Sequence, residues 1–572
     1  MAKVKSEYAS AKEIVEMKLM EVEMDCAKEG KEYTIEEVAK NIKEDDQITI
    51  EKYYNSDTAS IASGVTENLL NLKGIVVSVD EYSEYKFLIG ENCTIDGVTM
   101  QEIADTTDKD VFLSIEEFEK QLGMTTGGGS SGNDGDNVKE EIKDVPVVGE
   151  DVDITNPIEV QTYMLITRNS KNVLNLAGVE NATYTIQEKT NNVNLSGNIL
   201  TANSSADSSD SCKIQITGTY SEQSYINNLT VYVEPEKTIL KDDDGNEQEA
   251  YAMAKKDDFL RIKEIIENVD NSCNVKLTDN VELNSSDQYE FDENGKITFK
   301  ETAQKYNSIG STDRPYEGIL DGSGYSISGL YIEATTKTSG LFGMVSQDGE
   351  IKNLVIENSY IYGNRSGANT GYNEGKIYRC KVQNTTIEND GSWSGGIIGL
   401  NNGSVIECAS ISVYVNGDGT GGIAGGNGTN DSRDGFTHNS TTGYIYRCYS
   451  TGYIGYTEIS GIASHSGVYG GTGYIYDCYS RAKLNDNYFK GSIVAVQSFS
   501  GKGGYIYNSY YLNTDCNFPS VATSQHYGTV ENSYSNDTTV TAAKLNGTSG
   551  TAWINDTQNI NNGYPILAWQ IE

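Results

Sequence analysis

The chain has 572 residues, a formal net charge of −40, 58 glycines, 39 tyrosines and only 6 prolines. That length exceeds one ordinary hydrophobic core, so several domains are expected, and the glycine and tyrosine content suits β structure with many tight turns. The charge excludes nucleic acid as a general partner and disfavours anionic membranes; no run reaches the ~20 apolar residues of a membrane span, and no secretory h-region is present.

Residues 4–29 are predicted to be a helix, because Val4, Tyr8, Ala11, Val15, Leu19 and Val22 recur at three- and four-residue steps before a stop at Gly30. Thr34 and Glu37 form a capping box ahead of a short helix carrying Val38 and Ile42. Ile75, Val77 and Val79, then Tyr85, Phe87 and Ile89, alternate as two strands joined through Asp80–Glu84. Cys26 and Cys93 share this region, and the sequence leaves their pairing open. A long helix followed by a small antiparallel sheet resembles the soluble part of pilin-like proteins, in which a leader and a hydrophobic helical half precede this point. The resemblance implies that any membrane attachment comes through such a missing N-terminal segment, with other pilin-like or filament subunits as partners. An ordinary helix-plus-hairpin domain over residues 1–122 is the alternative.

Residues 123–140 read as a flexible tether, Gly/Ser-rich over Gly123–Asn137. Asp134 and Asp136 there lack a following Glu at EF-hand spacing, so they are assigned to the tether and not to calcium. Over residues 141–236, Val160–Thr167, Val173–Ala177, Ala182–Gln187, Lys213–Gly218 and Asn228–Val233 alternate between turn residues, the rhythm of a β-sandwich. The run TYTIQ, NLSGNILTA, CKIQITGTY and NLTVYVEP is similar to bacterial Ig-like domains. That resemblance implies a spacer without a reactive site.

Residues 237–572 open on a predicted hairpin over Thr238–Ala252, turning at Asp244-Gly245; the acidic cluster Asp242–Glu249 is read as that turn and not as a metal site. Asp257–Asn268 is an amphipathic helix with Phe259, Leu260, Ile262, Ile265 and Ile266 apolar, placed to cap a solenoid end. A hexapeptide then recurs: GEIKNL at Gly349, GKIYRC at Gly375, GSVIEC at Gly403, GYIYRC at Gly443, GYIYDC at Gly473, GYIYNS at Gly504 and GTVENS at Gly528, at spacings of 26, 28, 40, 30, 31 and 24 residues. Repeats of this size stack, each unit burying its face on the next. In GYIYRC, Ile445 and Cys448 point inward, and their three-residue separation implies a corner between them, with Gly443 supplying the permissive φ. The 40-residue spacing exceeds one coil, and the excess is assigned to an extruded loop, Gly426–Thr442.

The succession Asn274–Leu283, Tyr306–Ile332 and Ser339–Gly363, the Gly-rich companions SGLFG, SGGIIG and TGGIAG, and the tail segments Tyr510–Asp515 and Asn561–Gln570 resemble the GLUG-repeat family of bacterial surface proteins. The resemblance implies a right-handed parallel β-helix. The expected fold class is therefore mainly β and multidomain, with this solenoid preceded by an Ig-like sandwich and a small α+β module.

No catalytic, cofactor or metal residues are assigned. Asn513-Thr514-Asp515 and Arg261-Ile262-Lys263 match polygalacturonase motifs, but in the wrong order and without G-H-G beside His438, His465 or His526. H-E-x-x-H and the P-loop are absent from the sequence, and no G-x-S-x-G nucleophile elbow is assigned. Cys380, Cys408, Cys448 and Cys478 share one repeat position and are read as a ladder of small core residues. In-register stacking predicts two outward tyrosine ladders: Tyr378, Tyr446, Tyr476 and Tyr507, and beside them Tyr444, Tyr474 and Tyr505. Such ladders stabilise a sheet; they are also the candidate platform for a host or environmental glycan or protein. The expected role is that of an extracellular, cell-surface-associated, adhesin-like, non-enzymatic protein, with a polysaccharide-active enzyme and a structural stalk or filament subunit as the alternatives.

Overall fold

A computed structural model describes residues 8, 11–12, 14–15, 18–19, 22, 34–43, 48–54, 74–79, 82–90, 93, 95–100, 140–145, 158–176, 178–220, 223–241, 247–333, 338–389, 391, 393–430, 441–485, 490–497, 503–512, 529–535, 540–546 and 550–571. Val4, Gly30, Cys26, the tether with Asp134 and Asp136, the Asp244-Gly245 turn, Asn513–Asp515, His438 and His526 lie outside these residues. The described chain is mainly β, with several parallel sheets.

In the N-terminal region the apolar stripe Tyr8, Ala11, Val15, Leu19 and Val22 is helical where described and packs in one core with Val38, Ile42, Ile75, Val77, Val79, Tyr85, Phe87 and Ile89. Thr34 caps the helix Ile35–Ile42, its side chain accepting from the Glu37 amide. The sheet has four antiparallel strands, Ile48–Tyr54, Gly74–Val79, Tyr82–Gly90 and Ile95–Thr99, so the expected hairpin is only its middle pair. The connection is shorter than Asp80–Glu84: Val79 already pairs with Tyr82, and a register shift absorbs the difference.

Residues 140–233 form two four-stranded sheets. One runs in the order Glu140–Asp144, Ser170–Asn175, Ile199–Ala202, Val193–Ser196; the other Ile158–Ile166, Gln223–Val233, Ser211–Tyr220, Val179–Lys189. Each includes one parallel pair, and Met164, Ile166, Leu174, Val193, Leu200, Ile214, Ile216, Leu229 and Val231 form the core between them. The sandwich is fastened to the helix Lys256–Asn268. Buried Arg261 donates from Nε to Ser208 O (2.8 Å) and from Nη2 to Asp210 O (3.1 Å), and its guanidinium lies 4.2 Å from the Tyr232 ring centroid. The helix buries Phe259, Ile262, Ile265 and Ile266 in the same core as the stacked sheets that follow, whereas Leu260 is only partly covered.

From Val275 onward the chain repeatedly visits four parallel sheets in a fixed order. Sheet one takes the hexapeptides (Lys376–Tyr378, Ser404–Ile406, Thr442–Tyr446, Thr472–Tyr476, Gly504–Tyr507), and sheet two the segments after each Cys or Ser (Lys381–Gln383, Ala409–Asp418, Tyr449–Thr457). Sheet three takes Arg365–Ser366, Ser394–Gly395, Thr420–Gly421 and Ile459–Ser460; sheet four takes Thr370–Asn373, Ile398–Asn401, Ala424–Asn427 and Ala463–Ser466. One apolar cluster draws on all four, for example through Ile445, Cys448, Ile454, Ile459 and Ala463.

The corner after each hexapeptide strand lies where the Ile–Cys spacing places it, but glycine does not make it. Positive φ falls on the residue before Cys or Ser, or before Leu354 in the first copy: Asn353 (52°), Arg379 (50°), Glu407 (52°), Arg447 (53°), Asp477 (52°), Asn508 (47°) and Asn532 (45°). The glycines that begin the hexapeptides serve close approach instead; a Cβ on Gly375 would sit 2.1 Å from Gly349 O. The extra residues of the long spacing are not all extruded, because Gly426 and Asn427 belong to a sheet-four strand and Thr429 is buried, while residues 431–440 lie outside the described set.

The cysteine ladder is polar as well as small. The amide of Cys380 donates to Cys408 Sγ (3.4 Å), that of Cys408 to Cys448 Sγ (3.4 Å), and that of Cys448 to Cys478 Sγ (3.3 Å). The amides of Cys478 and Ser509 continue the line to Ser509 Oγ and Ser533 Oγ, 3.2 Å in each case. These four cysteines are fully buried and form no disulfide. Burial holds the thiols of Cys380, Cys408 and Cys448 well above their ordinary pKa.

Candidate functional site

Strand register brings six of the seven predicted tyrosines into two rows. Tyr444, Tyr474 and Tyr505 are consecutive partners, with ring centroids 4.9 and 5.0 Å apart and planes within 12°. Tyr446, Tyr476 and Tyr507 form the second row. Tyr378 is separated from Tyr446 by Ile406, because the copy GSVIEC carries no tyrosine there. It lies instead between Lys376 and Arg379, whose cationic groups are 5.1 and 4.9 Å from its ring centroid.

The rows are less open than alternation alone predicts. Tyr446 and Tyr476 are 6% and 8% exposed, and the Arg447 guanidinium covers the Tyr446 ring at 4.2 Å. The other five are half-buried. In the Tyr444 row both faces of the Tyr474 ring and the inner faces of Tyr444 and Tyr505 are occupied by neighbouring rings, which leaves mainly phenol edges along the row for a partner. A pyranose stacks on a ring face, so this row does not provide a sugar platform along its length.

A different group gathers on the outer side of sheet four, and its residues come from separate coils. Trp393, Gly419 and Glu458 are successive positive-φ positions (63°, 65° and 47°) at the corner entering sheet three. A Cβ on Gly419 would meet Trp393 Cδ1 at 2.6 Å, so the glycine lets the indole lie across its coil. The indole then reaches His465 (centroids 5.7 Å apart) and Tyr469 (6.4 Å). The Arg365 guanidinium lies 5.4 Å from the indole, and Met344, Tyr372 and Leu400 complete a small separate core. Tyr372 donates to buried Glu374 (2.6 Å); burial first, then that carboxylate, raises the Tyr372 pKa.

His465 is held at both ring nitrogens, with Nδ1 2.9 Å from Ser464 Oγ and Nε2 3.2 Å from Glu458 Oε2. Ser464, His465 and Glu458 have the composition of a hydrolytic triad, but Ser464 is fully buried and its hydroxyl donates to Glu458 O, so an external carbonyl has no approach to Oγ. Two large aromatic side chains at this corner are open: Tyr469 at 43% exposed, and Tyr456, two residues before Glu458, at 55%. Among the described residues, no group of three or more His, Cys, Asp and Glu is placed to hold a metal ion, and no helix is long and apolar enough to cross a membrane.

Sequence reasoning missed this corner because Trp393 meets His465 and Tyr469 across 72 and 76 residues and none is a repeat residue. A usable signal exists in the register: where one coil has Gly417 and Gly419, the next has Tyr456 and Glu458.

No protein-family profile matches the chain. Over 91 residues (16% of this chain and 1% of the relative) it is 34% identical to halomucin of Haloquadratum walsbyi. Over 83 residues (14% of this chain and 10% of the relative) it is 34% identical to a candidate Gly-rich membrane protein of Evansella cellulosilytica. The chain thus spans only small parts of these curated relatives. A solved structure named as a candidate immunoglobulin A1 protease from Bacteroides ovatus aligns over 57% of this chain and 94% of its own, with 19% identity and a TM-score of 0.39.

Proposed function

We propose that the chain is an extracellular, surface-associated bacterial protein that binds partners without catalysis, and that its four stacked sheets close into a right-handed parallel β-helix of the GLUG-repeat type. On this reading the β-helix is the presented head, the sandwich an Ig-like spacer, and the N-terminal helix and sheet a pilin-like base. The observation that carries the reading is the in-register stack itself. One core is fed by all four sheets, and each coil sets the same side-chain positions in line, which is the construction of a long, regular contact surface. The Arg261 fastening supports a spacer and head that move together. The names of the two short-segment relatives fit a surface setting.

Protease shaving of intact cells, followed by overlay of the purified full chain on glycan and host-protein panels, tests this proposal. Release of the chain by shaving and saturable binding to a panel member are expected. A chain retained inside the cell, or hydrolysis of a panel glycan, would refute it. A filament-subunit role is the second reading, because Val530–Glu531 and Tyr534–Ser535 end sheets one and two, and Tyr534 is 53% exposed. Fibres in electron micrographs of the isolated protein would favour it.

A further inference from the structure

We infer that the corner formed by Trp393, Tyr456, Glu458, His465 and Tyr469 is a binding subsite for an uncharged glycan; the inference rests on the partner-binding reading above and names its site and ligand class. The first argument is conformational. Tyr456 pairs in register with Gly417 and has φ 90°; Glu458 stacks on Gly419 and has φ 47°. Two positions that the preceding coil gives to glycine are therefore occupied by a tyrosine and a glutamate. A positive φ on a bulky residue is unfavourable, and such residues persist where something else uses them. Packing does not use Tyr456: it is 55% exposed and, among the described residues, stacks on no other ring.

The second argument is chemical. The exposed parts of the Tyr456 and Tyr469 rings offer apolar surface on which the C–H face of a pyranose stacks, and the chain places them next to hydrogen-bonding groups, Tyr456 two residues before Glu458 and Tyr469 four after His465. The Glu458 side chain is one-third exposed and can accept from sugar hydroxyls, and His465, pinned between Ser464 and Glu458, fixes where that carboxylate stands. Trp393 packs against both Tyr469 and His465. Along the Tyr444 row, by contrast, the inner ring faces are taken up by neighbouring rings. The third argument is charge: a net −40 chain with a carboxylate at the subsite disfavours sialylated or uronate-bearing glycans, which leaves neutral sugars.

Two measurements on the full chain test the inference. In thermal unfolding, Tyr456→Gly should keep or raise the midpoint by about 1–2 °C, because relief of the positive φ outweighs the entropy that glycine adds to the unfolded chain; a fall of several degrees would mean that Tyr456 is a packing residue and would overturn the site. On a glycan array carrying neutral and sialylated oligosaccharides, the wild-type chain and Tyr325→Ser, a distant exposed tyrosine, should bind the same neutral members. Tyr456→Gly, Tyr469→Ala and Glu458→Gln should each lose tenfold or more. Undiminished neutral-glycan binding by all three variants, or wild-type binding to sialylated members alone, overturns the site but leaves partner binding standing. A wild-type chain that binds no glycan yet binds a host protein does the same. Failure of the wild-type chain on both panels overturns the partner-binding reading as well.

Discussion

Replacing Cys448 separates two accounts of the cysteine ladder. If the thiol were only a small apolar filler, alanine would cost little and serine more, because serine would bury an extra hydroxyl. The structure predicts the opposite order. The Cys448 sulfur is the acceptor for the Cys408 amide at 3.4 Å, and its S–H donates to Tyr446 O at 3.3 Å, in a wholly buried setting. Cys448→Ala removes that acceptor, leaving a buried N–H unsatisfied at about 1–3 kcal/mol. It also empties the volume of one sulfur, at about 1 kcal/mol for a methyl-sized group, so about 2–4 kcal/mol is expected in all. Cys448→Ser keeps both bonds, as Ser509 and Ser533 do in the same line, and should cost about 0–1.5 kcal/mol. Urea unfolding followed by tryptophan fluorescence gives the comparison, since Trp393 is buried beside the coil stack. Equal costs for Ala and Ser, or a larger cost for Ser, would refute the reasoning.

Glu407 joins Arg379 (Nε–Oε2 3.0 Å) to Arg447 (Nη1–Oε1 3.5 Å) along the positive-φ corner, and its side chain is only 10% exposed. E407Q should cost about 1 kcal/mol and E407K about 2–3 kcal/mol in urea unfolding, the second because three cations then share one line. R261A should split calorimetric unfolding into two transitions by releasing the sandwich from the helix, and R261K should not restore a single one, since an ammonium cannot reproduce the two-carbonyl fork and the stacking on Tyr232. Stability should be flat from neutral pH to about 8.5, the ordinary thiol pKa, and should then fall. Burial raises the folded-state pKa of Cys212 and Cys273 to about 12 and that of Cys380, Cys408 and Cys448 well above normal, so the unfolded chain releases these protons first. Each thiol then contributes a loss of about 1.4 kcal/mol per pH unit. Denaturant midpoints at pH 7, 9 and 10 check this, and a midpoint that rises above pH 9 contradicts it.

Much of the stacked architecture was legible because one physical constraint repeats: an inward Ile, a corner, and an inward Cys or Ser. The corner residue itself was harder to see. Asn353, Asp477, Asn508 and Asn532 are typical left-handed residues, but Arg379, Glu407 and Arg447 at the same position obscure them. The hairpin Tyr289–Phe291 with Ile297–Phe299 went unpredicted although Asn294-Gly295 marks it; Phe299 stacks on Tyr331 at 4.6 Å, a partner that sequence distance conceals. The tyrosine rows were legible as rows and not as surfaces. Alternation states which way a side chain starts, whereas the cover over Tyr446 comes from Arg447, and Tyr476 meets the Tyr507 ring one coil away. The Trp393 corner depends on residues from five coils, and no local pattern contains it.

Near-identical coils carry a hazard during folding. Gly443–Tyr446, Gly473–Tyr476 and Gly504–Tyr507 share the tetrapeptide GYIY, so an incoming coil fits the wrong predecessor almost as well as the right one and strands about thirty residues as a bulge. The apolar positions do not discriminate. The corner residues do, because they differ from coil to coil: Glu407 meets Arg447, and Asp477 meets Asn508, which donates to it at 2.6 Å. A slip that lays the Asp477 coil on the Glu407 coil sets two carboxylates side by side at a shielded corner. The charged corner thus acts as a proofreading mark, letting a monotonous core assemble in one order.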